Sequence, residues 1–329
     1  MSVPPYQSDI AVVLVNLGTP DAPTATAVRR YLREFLSDRR VVEAPRLLWW
    51  LVLNLFILPF RPRRVARLYA SIWTKQGSPL LVLTRSLAEK VQAAIGDPRV
   101  RVHAAMTYGE PSLAALLWKL EAENVNRVLV LPLYPQFSAS TSGAVVDIVA
   151  RYLLQTRRAP DVRIVRDYCD RDGYVAAVAD SIRQYRATSG ADSHLLFSFH
   201  GIPQAYADKG DPYPLCCETT ARAVAARLGL AENGWTLAYQ SRFGRQQWLM
   251  PYTDETLRAW PQAGVKSVQV VCPGFAVDCL ETLEEVAEQN RETFLHAGGE
   301  RYAYIPALND SAAHADLLAA LVRDHSAGW

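Results

Sequence analysis

Five cysteines occur in 329 residues, at 169, 216, 217, 272 and 279, and no two of them form a CxxC pair. An odd, irregular set with two adjacent members is neither a disulfide framework nor a zinc-ribbon pattern, and it fits a reducing cytoplasm. No glycine falls in a GxGxxG or GxxxxGK loop, so a nucleotide-phosphate site is not indicated, and no GxSxG elbow occurs. The formal net charge is only +2, which argues against a general nucleic-acid binder with its basic excess. The N-terminal stretch MSVPPYQSDI lacks a basic segment followed by an apolar core, so no signal peptide is expected. The longest apolar run, residues 47–60 (LLWWLVLNLFILPF), has fourteen residues. As a helix it would span roughly 21 Å, short of a bilayer core of about 30 Å, so it cannot cross a membrane.

Half of the residues are apolar, which is enough for a large core, and the length suggests about two domains. Residues 10–17 (IAVVLVNL) read as a buried strand stopped by Gly18-Thr19-Pro20. Val28, Tyr31, Leu32, Phe35 and Leu36 then recur at helical spacing. Further strands are expected at 100–106 and 128–133, with helices at 111–122 and 144–154. The polar, basic stretch 155–161 (QTRRAPD) reads as the linker between domains 1–155 and 156–329, with the last helix packing back on the first domain. The second half repeats the layout. Residues 193–200 echo 10–17, 237–244 echo 104–109, and 265–273 echo 125–132. Strands alternating with helical patterns imply an α/β fold of two similar Rossmann-like domains. Each would be a parallel sheet flanked by helices, with a ligand cleft between them.

The run LLFSFHGIP (195–203) places His200 at the carboxyl end of an expected central strand, where open α/β sheets bind ligands. A neutral imidazole there can take a proton or hold a metal, although a histidine satisfied at a strand end would read the same way. After Pro273-Gly274 the chain reads as an acid-rich helix over 273–290. Glu281 and Glu285 are four apart and share a face, and Asp278 lies one turn earlier. Acids near a helix start are often merely solvated, but this helix should begin at the same sheet edge as His200. The apolar run 47–60, with Trp49, Trp50 and flanking Arg46, Arg61, Arg63 and Arg64, reads either as an interfacial lip or as a buried core helix.

Ten segments in order, spread over almost the whole chain, resemble the ferrochelatase family: VNLGTP, FLSDRRVVE, LYASIW, GSPL, LPLYPQFSASTSG, SFHGIP, GDPYP, QSRFG, WLMPYTDETL and CPGFAVDCLETLEE. The wording is most similar to the proteobacterial branch. The resemblance implies a chelatase-like fold and insertion of Fe2+ into protoporphyrin IX, the last step of haem biosynthesis. By position it implies His200 and Glu281 as catalytic and metal-site residues, with Glu285 next along the helix and Gln289 where some relatives continue the acids. It makes 47–60 a hydrophobic lip that admits porphyrin and touches the inner membrane surface of a cytoplasmic enzyme. A flat apolar disc with two carboxylates needs greasy walls and a basic rim. Leu17, Tyr134 and Trp248 are candidate walls, and Arg39, Arg61 and Arg63 are candidate carboxylate partners. Iron is then a substrate. No tightly bound cofactor is expected, and no iron–sulfur cluster, since no cysteine follows Cys279. A chelatase for another tetrapyrrole or for cobalt and a non-catalytic tetrapyrrole carrier are the rival readings.

Overall fold

The computed structural model describes residues 7–190, 193–244 and 246–329, so most of MSVPPYQSDI lies outside the described residues. Two four-stranded sheets organise them. The first contains β1 (Gln7–Gly18), β2 (Val100–Tyr108), β3 (Val125–Pro132) and β4 (Asp161–Ile164), in the order β2-β1-β3-β4. The second contains β5 (His194–His200), β6 (Trp235–Gln240), β7 (Ser267–Val271) and β8 (Arg301–Ile305), in the order β6-β5-β7-β8. Every pairing is parallel, so the two halves share one strand order, as the internal echoes predict.

Burial explains why the strands read as continuous apolar runs. A parallel sheet carries helices on both faces, so both sides of a central strand need apolar residues. Residues Ala11, Val12, Val13, Leu14 and Val15 of β1 are all buried, as are Leu195, Leu196, Phe197 and Phe199 of β5. The first core gathers Val13, Val15, Val128 and Val130 with Leu113, Leu117 and Val145 from the covering helices. The second gathers Leu196, Ala238, Val268 and Val270 with Leu257, Val286 and Phe294. Glycine is required where β1 ends. Gly18 has φ +114°, and a Cβ there would stand 1.7 Å from the Tyr108 carbonyl oxygen at the end of β2.

The chain forms two compact units. The first takes residues up to Tyr134, Ala139–Asp167 and Asp310–Trp329; the second takes Pro135–Ser138 and Tyr168–Asn309. The polar stretch 155–161 leads into β4, which pairs with β3, so the chain is still on the first sheet there. The last helix, Ala312–Ser326, belongs to the first unit. Asp310 anchors its approach by accepting hydrogen bonds from Ser86 and Lys90.

The apolar run 47–60 lies within one helical stretch, built from the α-helices Arg46–Val52 and Leu58–Ile72 with a π-helical turn, Leu53–Ile57, between them. Within 46–60 only Leu53 and Leu58 are buried. Leu47, Trp50, Phe56 and Phe60 are 78%, 58%, 65% and 72% exposed, so a buried core helix is ruled out. Trp49 differs from its neighbour: its indole N–H donates to the Leu36 carbonyl at 2.6 Å and ties the stretch to the helix Ala25–Ser37. Among the described residues no helix is long and apolar enough to cross a membrane.

Candidate active site

His200 is the last residue of β5, and its strand register sets it beside Gln240, the last residue of β6. Its Nδ1–H donates to the Gly201 carbonyl oxygen at 2.7 Å. A carbonyl can only accept, so the hydrogen sits on Nδ1 and the neutral ring keeps a free lone pair on Nε2. The rings of Trp248 and Phe275 stand 6.5 and 6.4 Å from the imidazole centroid, both tilted, and limit its freedom to turn. Trp248 is itself fixed: its indole N–H donates to the Phe243 carbonyl at 2.9 Å, and its ring packs on Phe243 at 5.0 Å. Glycine at 201 permits this packing, since a Cβ would come within 3.1 Å of the Gln240 carbonyl and 3.2 Å of the Trp248 ring.

The acidic helix differs from its sequence reading in three ways. It begins at Leu280 rather than just after Pro273-Gly274, because residues 272–279 form a loop. Asp278 is therefore not a turn below Glu281 on a helical face. It is buried in that loop, where its carboxylate accepts from Thr282 Oγ1 at 2.9 Å, Tyr304 Oη at 2.6 Å and Asn309 Nδ2 at 2.7 Å. This buried carboxylate fastens the loop. Finally, Glu281–Gln289 winds as a π-helix, followed by the α-helix Asn290–His296. In a π-helix each turn closes five residues on, so Gln289 meets Glu284. Its side-chain amide donates to both Glu284 oxygens, at 2.6 and 2.8 Å, and so does not extend the Glu281–Glu285 row.

Glu281 and Glu285 do form a pair, and the Glu285 carboxylate feels the charges of both Glu281 and His200. Burial lifts the Glu285 pKa, with Ser241 and His200 opposing the rise and Glu281 adding to it. Ser241 follows β6 directly, and its backbone N–H donates to Glu285 Oε1 at 2.9 Å while its hydroxyl donates to Oε2. The thiol of Cys279 lies against Glu281, and burial holds that thiol well above its usual range. Among the described residues no three or more histidine, cysteine or carboxylate side chains form a metal cage. The donor atoms a passing divalent cation could meet are His200 Nε2 and the Glu281 and Glu285 oxygens.

Of the other predicted residues, Trp248 joins His200 in the second unit, packed beside the imidazole and only 4% exposed. Leu17 and Tyr134 belong to the first unit, at the carboxyl ends of β1 and β3. Tyr134 is part of the first core, and Leu17 packs against that cluster. The Tyr134 hydroxyl lies 3.4 Å from Thr107 Oγ1, and burial pushes the phenol far above its ordinary range. Arg39 is exposed in the first unit, whereas its neighbour Arg40 is committed to Asp147 through two bonds of 2.9 Å. Arg61 and Arg63 are exposed on the helical stretch that carries the lip. Ser241 and Phe275 were missed by sequence reasoning as contributors to the site. The segments QSRFG and CPGFAVD contained them, but nothing local marks a serine or a phenylalanine as a neighbour of His200 or Glu285.

Two similar parallel-sheet units, with an imidazole and paired carboxylates at the strand ends of one, define a metal chelatase architecture. Solved structures agree on the fold. SirB from Bacillus subtilis with Fe3+ superposes with TM-score 0.59 at 9% identity, covering 97% of this chain and 96% of that one. CbiX, described as the terminal enzyme for biosynthesis of siroheme in denitrifying bacteria, gives TM-score 0.52 at 15% identity, covering 96% and 98%. At the level of sequence, residues 9–326 match the Ferrochelatase family. Curated relatives named Ferrochelatase include that of Psychrobacter sp. (strain PRwf-1), 53% identical over 97% of this chain and 95% of the relative. Another, from Shigella sonnei (strain Ss046), is 54% identical over 96% and 98%. The chain belongs to the ferrochelatase family.

The buried Asp278 cluster yields a stability prediction. Asp278→Ala removes the shared buried acceptor of the Thr282 and Tyr304 hydroxyls and the Asn309 amide, so urea unfolding should show a loss of about 3 kcal/mol. A loss below about 1 kcal/mol would mean that the loop is held by other contacts.

Proposed function

We propose that this chain inserts Fe2+ into protoporphyrin IX to form protohaem with release of two protons, and that His200, Glu281 and Glu285 carry the insertion. The observation that supports this most directly is the His200 tautomer. With Nδ1–H spent on the Gly201 carbonyl, Nε2 is a base near Glu285, which Glu281 adjoins. Metal insertion exchanges one dication for two pyrrole protons, so charge balances only if both protons find acceptors. Nε2 takes one. Burial makes Glu285 hold a proton more readily than an ordinary carboxylate, which suits it to take the second. Glu281 supplies oxygen donors to the incoming iron, and imidazole also suits Fe2+.

The exposed apolar face of 47–60 is the lip that admits the porphyrin and rests on the inner membrane surface. Leu47, Trp50, Phe56 and Phe60 supply the greasy contact, and Arg46, Arg61, Arg63 and Arg64 supply cations at its borders. The protein is accordingly cytoplasmic and peripheral to the membrane. Iron is a substrate, and no iron–sulfur cluster or other tightly held cofactor is needed. All five cysteines are buried, and burial keeps the thiols of Cys217, Cys272 and Cys279 protonated, whereas a cluster requires thiolates.

His200→Ala should lower the insertion rate of Zn2+ or Fe2+ into protoporphyrin by at least about 100-fold, while the porphyrin spectrum still shifts on binding. Turnover at the parent rate would remove His200 from the mechanism. For the lip, Trp50→Ser with Phe56→Ser should reduce co-sedimentation with vesicles; equal sedimentation would show that this face does not meet the bilayer. Purified protein should contain no acid-labile sulfide and no stoichiometric iron, and finding both would establish a cluster.

A further inference from the structure

Ser241 stands in the left-handed region, with φ +66°. Glycine would take that backbone without cost, so the presence of a serine suggests that its side chain is used. The bend after β6 aims two donors of this one residue at one carboxylate: N–H at Glu285 Oε1 and the hydroxyl at Oε2. Glu285 is otherwise surrounded by groups that would move it. Glu281 repels it, His200 attracts it, and the Cys272 thiol lies close by. A long glutamate side chain under opposed forces does not hold one rotamer unaided. Bonds to both oxygens select a single carboxylate plane and offset the cost of its burial. The residue that makes these bonds is joined directly to Gln240, which pairs in register with His200. The end of β6 therefore carries the geometry of the imidazole across to the π-helix.

We propose that Ser241 is a positioning residue for metal insertion, clamping both oxygens of Glu285 so that this carboxylate stays aligned with His200 and Glu281. This rests on the reading of those three residues as the insertion site. It concerns the chemical step, so it acts on kcat and leaves porphyrin binding alone.

The test is steady-state Zn2+ insertion into protoporphyrin by the full chain carrying Ser241→Ala, Ser241→Gly, Glu285→Gln, or Ser241→Ala with Glu285→Gln. Both serine variants should lose about tenfold in kcat with porphyrin KM unchanged, because each lacks the hydroxyl while keeping the N–H. The glycine variant relieves the backbone, so an equal loss in the two assigns the effect to the hydroxyl. The double variant should be no slower than Glu285→Gln alone, since the hydroxyl then has no carboxylate to hold. Multiplying losses in the double variant would overturn the proposal. So would recovery of the parent kcat in Ser241→Gly, or a parent kcat in Ser241→Ala while Glu285→Gln is impaired. A parent kcat in Glu285→Gln would overturn it too, and would also remove Glu285 from the insertion site.

Discussion

A strand buried on both faces in a parallel sheet can offer a polar side chain to a ligand only where it ends. That constraint governs this molecule. β5 is flanked by β6 and β7 and covered by helices, so Leu195, Leu196, Phe197 and Phe199 are apolar, the buried Ser198 is spent on Gln240 and Thr253, and His200 is the first position open to a ligand. Because all strands run the same way, the ends of β5, β6 and β7 gather at one edge. Each hands the site a different part: the imidazole at the end of β5, Ser241 after β6, and the loop to Glu281 after β7. The covalent chain thus delivers three distant segments to one place without a dedicated scaffold.

Electrostatics decides what those parts do together. Two carboxylates beside each other in a half-buried place are unfavourable on their own, and burial worsens it. Here the imidazole and the Ser241 donors offset that cost for Glu285, while Glu284 is held apart by the Gln289 amide, which donates to both its oxygens. Asp278 is kept out altogether by Tyr304, Thr282 and Asn309. Of four carboxylates within eight residues, Glu285 interacts with His200 and Glu281 interacts with Glu285. A row of acids in sequence has become a single pair in space.

Much of this was legible in the sequence, for a physical reason. Apolar runs broken by glycine or proline, such as IAVVLVNL before Gly18 and LLFSF before His200, report burial on both faces and therefore parallel strands. The repeated spacing of those runs reported two equivalent sheets. β4 and β8 went unread because short edge strands are only half-buried and so lack an apolar run. The acids were harder. Propensity and i, i+4 spacing assume α winding, and nothing in ETLEEVAEQ announces a five-residue turn. The difference exchanges the partners of Gln289, while the loop over 272–279 takes Asp278 off the helical face. Trp248 lies beside the imidazole and is almost fully buried, a place that tryptophan's apolar body and polar tip do not announce in sequence. Arg39 and Arg40 looked alike in sequence, but only tertiary contact with Asp147 separates them.

The π winding carries one residue more than an α-helix needs to cover the same rise. Deleting a single position within 281–289 would let the segment relax to α geometry, changing the angular spacing of the residues on either side of the cut. Val286 and Phe294, both seated fully in the second core, would then compete with the two acids for orientation. Either the apolar pair keeps its seat and the carboxylates swing from the imidazole, or the acids stay and the core opens. Length in this stretch is thus constrained as tightly as residue type, and substitutions should be tolerated there far better than a gap.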